Sequence, residues 1–256
     1  SLTVSGTLTQ SGNITIDVAD TKTLTYSGTA ISIGANTLTL SGGGRLSNSN
    51  VILNNASSKL LLDSITVDFV DSFGSSVSAS LGLEVDDNST VTSLTVRHPI
   101  PVSIASGKTL SGAITVAAGS IKLGETGTLA STVSMRQGTI LDVDESMTIS
   151  GALSQSGNIT IDVASDKTLT YSGAAVNLGA NTLTLGGEGT LSNTNAFVLN
   201  NASSKLLLSS SITVGKVSTS LANSGLDVDA NSSVTSLTVG HTTPVSIASG
   251  ITLSGG

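Results

Sequence analysis

A chain of 256 residues with 38% hydrophobic side chains is long enough for a sizeable core, yet aromatics make up only 2% and Trp is absent. Charged residues are 11%, against a usual share of about a quarter, and the net charge of −7 comes with no basic run, which argues against nucleic acid and anionic membrane as partners. Cys is absent, so disulfides are excluded, and no apolar stretch reaches the roughly 18 residues of a membrane-spanning helix.

Phe, Tyr and Trp supply the bulk of ordinary cores. A core of Val, Ile and Leu alone must be narrow. From the N-terminus, apolar residues alternate with polar ones in short bursts: Ile14, Ile16 and Val18; Leu24 and Tyr26; Ile31 and Ile33; Leu38 and Leu40; Leu60 and Leu62; Ile65 and Val67. That is the period of a half-buried strand. Turn formers such as "SGN", "GAN" and "SGGG" separate the bursts, and no window carries a helical apolar stripe. Strand centres fall near residues 3, 8 and 15, then 25, 32 and 39, then 46, 52 and 61. The first members of these triplets advance by about 20–22 residues, one coil of a solenoid with three short strands per coil. An antiparallel sandwich would need Asn-Gly or Asp-Gly hairpin signals, and none occurs. The sequence therefore predicts an all-β, right-handed parallel β-helix.

Longer-range repetition is plain. "SGTLTQSGNITIDVADTKTLTYSG", from Ser5, returns as "SGALSQSGNITIDVASDKTLTYSG" from Ser150, and "LNNASSKLLL" stands at both Leu53–Leu62 and Leu199–Leu208. Val91–Gly112 likewise returns at Val234–Gly255. Residues 1–145 form a first tandem unit and 146–256 a second, incomplete one, in one continuous solenoid. With neither an initiating Met nor a signal peptide, the chain reads as a piece of something longer. The repeated ten residues place "NNASSK" at a corner between inward Leu53 and inward Leu60 and Leu62. An inward Asn at such a corner can bond its equivalents on neighbouring coils as a side-chain ladder. Asn54, Asn55, Asn200 and Asn201 are the candidates, the alternative for each pair being a solvated turn residue.

The stretch "ANTLTLSGGGRLSNSNVILNNASSKLLL" resembles the passenger repeats of bacterial autotransporters and filamentous-haemagglutinin-type surface proteins, in composition rather than in any single motif. That resemblance implies a right-handed parallel β-helix, export, and a role as stalk or adhesive fibre outside the cell or on its surface. The near-identity of the units favours a fibre over a one-off binding domain.

Catalytic signals are missing. His98 and His241 are equivalent positions of the repeat beside turn-forming Pro, Tyr26 and Tyr171 read as core ends, and no nucleophile motif, phosphate loop or zinc pattern occurs. No enzyme, cofactor or metal is expected. The acidic stretches at Leu83, Leu141 and Leu226 repeat one pattern, and Asp227, Asp229 and Asn231 are spaced like the opening of a calcium loop. The Gly and the distal Glu of such a loop are absent, however, which favours a solvated edge. Rows of outward Thr would suit ice binding, but the "TLT" triplets at Thr7, Thr23 and Thr37 fall on three different faces. The function expected is a non-enzymatic structural fibre or stalk that associates end to end, with an adhesin acting through exposed loops as the alternative.

Overall fold

The computed structural model describes residues 1–72 and 82–255. Every regular element among the described residues is a strand, and the strands pair in parallel. The period-two pattern explains this directly. A helix would turn half of each apolar burst to water, whereas a strand turns all of it inward. The chain gathers into two compact units, Ser1–Thr132 and Val133–Gly256, dividing ahead of Ser146, where the sequence repeat starts afresh.

The first unit is a parallel β-solenoid with three faces. On its third face lie Ile14–Asp17, Thr37–Ser41, Lys59–Asp63, Gly82–Val85, Ile100–Ile104 and Ser120–Gly124. Ile16, Leu40, Leu62, Val85 and Ile104 stand in register along it, with advances of 24, 22, 23 and 19 residues. The first face carries Leu2–Val4, Thr23–Tyr26 and Arg45–Asn48, where Leu2, Leu24, Leu46 and Val67 advance by 22, 22 and 21. Ile31–Ser32 and Val51–Ile52 lie on the second face. The second unit repeats the plan. Its third face runs through Ile140–Val143, Ile159–Val163, Thr182–Gly187, Lys205–Leu208, Gly225–Val228 and Val245–Ile247. The expected coil of about 20–22 residues is thus the centre of an observed range of 19–24.

Later coils depart from three separate strands. Thr66–Ser72, Ser89–Val96, Thr213–Thr219 and Ser232–Val239 each run through the first and second faces without a break. A bulge accommodates the corner: pairing of Ser89–Val96 with Thr109–Val116 slips between Val91 and Leu94.

Side chains stack inward in columns. Leu38, Leu60, Leu83, Val102 and Leu123 follow one another in register and are at most 2% exposed. Among the described residues every buried hydrophobic is Val, Ile or Leu apart from Tyr26, Tyr171, Phe197, Met135 and Met147. Each inward residue meets a similar residue on the next coil, so small aliphatics fill the narrow interior.

Candidate functional site

Polar residues shared by the two units spend their hydrogen bonds mainly on the neighbouring coil. Asn13 and Asn158 each accept the strand-opening N–H of the next coil, from Thr37 and Thr182, at 2.8 Å. Asn88 and Asn231 do the same for Thr109 and Thr252, both at 2.9 Å. A strand entering a corner has an N–H that the ladder does not reach, and the side-chain carbonyl replaces the missing partner.

The quoted corner is built differently from the expected ladder. Asn54, Asn55 and Asn200 are exposed and Asn201 is half-buried, so none of the four is an inward amide. Asn54 and Asn200 accept the N–H of Gly34 and Gly179 one coil back, at 2.9 and 2.8 Å. Asn55 and Asn201 close a local turn by accepting from Ser57 N and Ser203 N. The buried member is a serine. Ser58 and Ser204 donate to the carbonyls of Gly34 and Gly179 and accept from Asn55 N and Asn201 N. The turn places its fourth residue inward, where the short hydroxyl side chain makes both bonds.

The inward asparagines are Asn48 and Asn193, each 5% exposed. Asn48 donates to Phe69 O at 2.8 Å and accepts from Asp68 N. Asn193 donates to Lys216 O at 2.7 Å and accepts from Lys216 N. They hold the bend between the first and second faces. Their signal in the sequence is an Asn at an apolar position of the alternation, in "LSN", kept in both units. Tyr26 and Tyr171 are buried, as read, and their hydroxyls accept from Leu8 N and Leu153 N at 3.1 Å. Tyr171 also stacks on Phe197, and burial pushes its phenol pKa up.

The acidic stretches face outward, and several of their carboxylates meet lysines of an adjacent coil. Glu84 pairs with Lys59 and Asp227 with Lys205, equivalent pairs in the two units, while Asp87 pairs with Lys108 at 2.8 Å. Asn231 is engaged by Thr252 N. Among the described residues no three His, Cys, Asp or Glu side chains come together as a metal-holding group. His98 and His241 lie in the turns where the sequence puts them. The "TLT" triplets do fall on separate faces, yet hydroxyls align elsewhere. Thr168, Thr190, Thr213 and Ser233 follow in register along the first face of the second unit, while the corresponding column of the first unit runs Thr23, Arg45, Thr66 and Thr90.

Two neighbouring carboxylates respond oppositely to pH. The hydrogen bond from Lys108, with one from Asn88 N, holds Asp87 below the usual aspartate value, whereas desolvation and then Glu84 raise Asp86. A depressed folded pKa contributes stability above the unfolded value, and that contribution is lost as pH falls through the folded pKa. The raised Asp86 behaves in the opposite sense, contributing below the unfolded value and losing that contribution as pH rises. A carboxyl NMR titration is expected to place the Asp87 midpoint below that of Asp86. Replacing Lys108 with Ala should move Asp87 upward and leave Asp86 in place.

No protein-family model matches the chain, and no curated protein or solved structure matches it either.

Proposed function

We propose that this chain is a segment of a non-enzymatic structural solenoid, a fibre or stalk that acts outside the cell or at its surface. The observation that carries this reading is the use made of the polar residues common to both units. Asn13, Asn54, Ser58, Asn88, Tyr26, Lys59 and their equivalents all bind the neighbouring coil or close its corner. A catalytic or ligand-binding site would instead converge several such groups on one unoccupied point. The resemblance to autotransporter and filamentous-haemagglutinin-type passengers supports the surface location, and the near-identical units support a fibre over an adhesin.

Self-association is the test. The first rung of the first unit exposes Leu2 by 64% and Val4 by 39%, and the last third-face rung of the second unit exposes Val245 and Ile247 by 44% each. An outermost rung offers unpaired N–H and C=O groups as well as apolar columns. Contact between unlike ends is heterologous and gives filaments unless rotation closes it. Sedimentation at high micromolar concentration is expected to show concentration-dependent growth, and microscopy to show fibres one solenoid wide. A strictly monomeric species would remove the fibre reading.

A second reading, ice binding, draws on the hydroxyl column of Thr168, Thr190, Thr213 and Ser233. Thermal hysteresis that disappears on replacing Thr190 with Lys would establish it in place of the fibre.

A further inference from the structure

The two units are near copies, but they differ in charge, and the differences are not scattered at random among the ion pairs. Four described ion pairs occupy positions that exist in both units. Lys59–Glu84 persists as Lys205–Asp227. The other three vanish as pairs. Arg45 and Asp68, 2.6 Å apart, are replaced by Thr190 and Gly215; Arg97 and Asp71, 3.1 Å apart, by Gly240 and Ser218; Lys108 and Asp87 by Ile251 and Ala230.

The structural slots are the same in each case. Arg45 pairs in register with Thr66, and Thr190 with Thr213. Arg97 N is received by Ser72 Oγ, and Gly240 N by Thr219 Oγ1. Thr109 N is held by Asn88, and Thr252 N by Asn231. Residues outside ion pairs show no such coupling, since Phe69 and Gly43 become Lys216 and Glu188 singly. In no pair is one member kept and the other lost.

Every one of these pairs joins one coil to an adjacent coil, the two residues lying 21–26 apart in sequence. They therefore bear on which coil stacks upon which. A solenoid of near-identical tandem units faces a particular hazard in folding: a coil of one unit can dock on the wrong copy of its neighbour, with every apolar column and backbone bond still satisfied. Parallel pairing is slow, which lengthens the exposure to such errors. Only side chains that differ between the copies can tell them apart.

We propose that the three unit-specific ion pairs are an address system that makes each coil select the neighbour from its own unit. Cross-docking the coil of Asp68 against that of Thr190 leaves a carboxylate whose side chain is 10% exposed without its guanidinium. Cross-docking the coil of Asp71 against that of Gly240 strands a carboxylate 14% exposed. Correct docking leaves neither unpaired. The specificity is thus a penalty on the wrong partner, imposed by charges that a correct neighbour neutralises.

Refolding of the full chain from denaturant tests this. Arg45→Thr, Asp68→Gly, Asp71→Ser, Arg97→Gly, Asp87→Ala and Lys108→Ile together give the first unit the residues of the second at these slots. This erased variant is expected to recover several-fold less native protein than the wild type, because wrong docking no longer meets a penalty. A second variant, Ala230→Asp with Ile251→Lys, copies one pair into the second unit and removes none. Its refolding yield should also fall, with the melting temperature unchanged, so that the loss cannot come from a missing pair. Wild-type refolding yield in both variants overturns the proposal, whatever their melting temperatures.

Discussion

Replacing Leu60 with Asp is expected to cost about 3–5 kcal/mol at pH 7, and to lower the melting temperature by roughly 10 °C. Leu60 is fully buried, in register between Leu38 and Leu83 on the third face. A carboxylate there has apolar residues above and below it and no cation on its own side of the strand. Burial would raise its pKa, because desolvation disfavours the charged form. The sign of the pH dependence follows. A raised folded pKa means that the penalty is smallest in acid, where the group is neutral in both states, and grows as pH rises through the unfolded value. The variant should therefore lie closer to the wild type at pH 4 than at pH 7. The adjacent residue is the control. Lys59 points outward and forms a partly exposed pair with Glu84, so Lys59→Ala should cost less than about 1 kcal/mol. Equal melting shifts for the two variants would show that the side-chain alternation is reversed from the one described.

That contrast rests on the part of the fold most legible in the sequence. The alternation at Leu38, Leu40, Leu60 and Leu62 fixes which side chains point inward, and spacing near 22 residues fixes which ones stack, because both are one-dimensional patterns. Corner chemistry was less legible. Asn54 and Asn55 stand out as a repeated dipeptide, yet the buried group of that corner is Ser58, whose role depends on the turn bringing its hydroxyl within reach of Gly34 O. Asn48 is hard to read from sequence because a polar residue at an apolar position looks like a break in the pattern, when it marks a bend held by two backbone bonds. The ion pairs were illegible for another reason. Arg45 and Asp68 are 23 residues apart, a meaningful separation only after the length of that particular coil is known.

The glycines show the same limit, and one of them carries the second large expected effect. Gly107 and Gly112 are both written "SG" and both have positive φ, at 73° and 116°. Gly107 lies in an open turn where an added Cβ would meet nothing within 4 Å. Gly112 lies inside the strand Thr109–Val116, beside the register slip, where an added Cβ would overlap the carbonyl oxygen of Val91. That oxygen belongs to the adjacent rung, so relief of the clash must move the backbone. Gly107→Ala therefore costs the left-handed conformation alone, about 1–2 kcal/mol. Gly112→Ala adds a backbone overlap to an unfavourable φ and is expected to cost about 3–5 kcal/mol, a melting shift of roughly 6–20 °C. The damage should also be directional. In a stack of coils each rung contacts only its neighbours, so faster amide exchange is expected at Val91–Leu94 and Thr109–Val116, with Ile14–Asp17 and Thr37–Ser41 protected as in the wild type. A Gly112→Ala protein that melts with Gly107→Ala, or loses protection evenly along its first unit, would place the bulge elsewhere than at this corner.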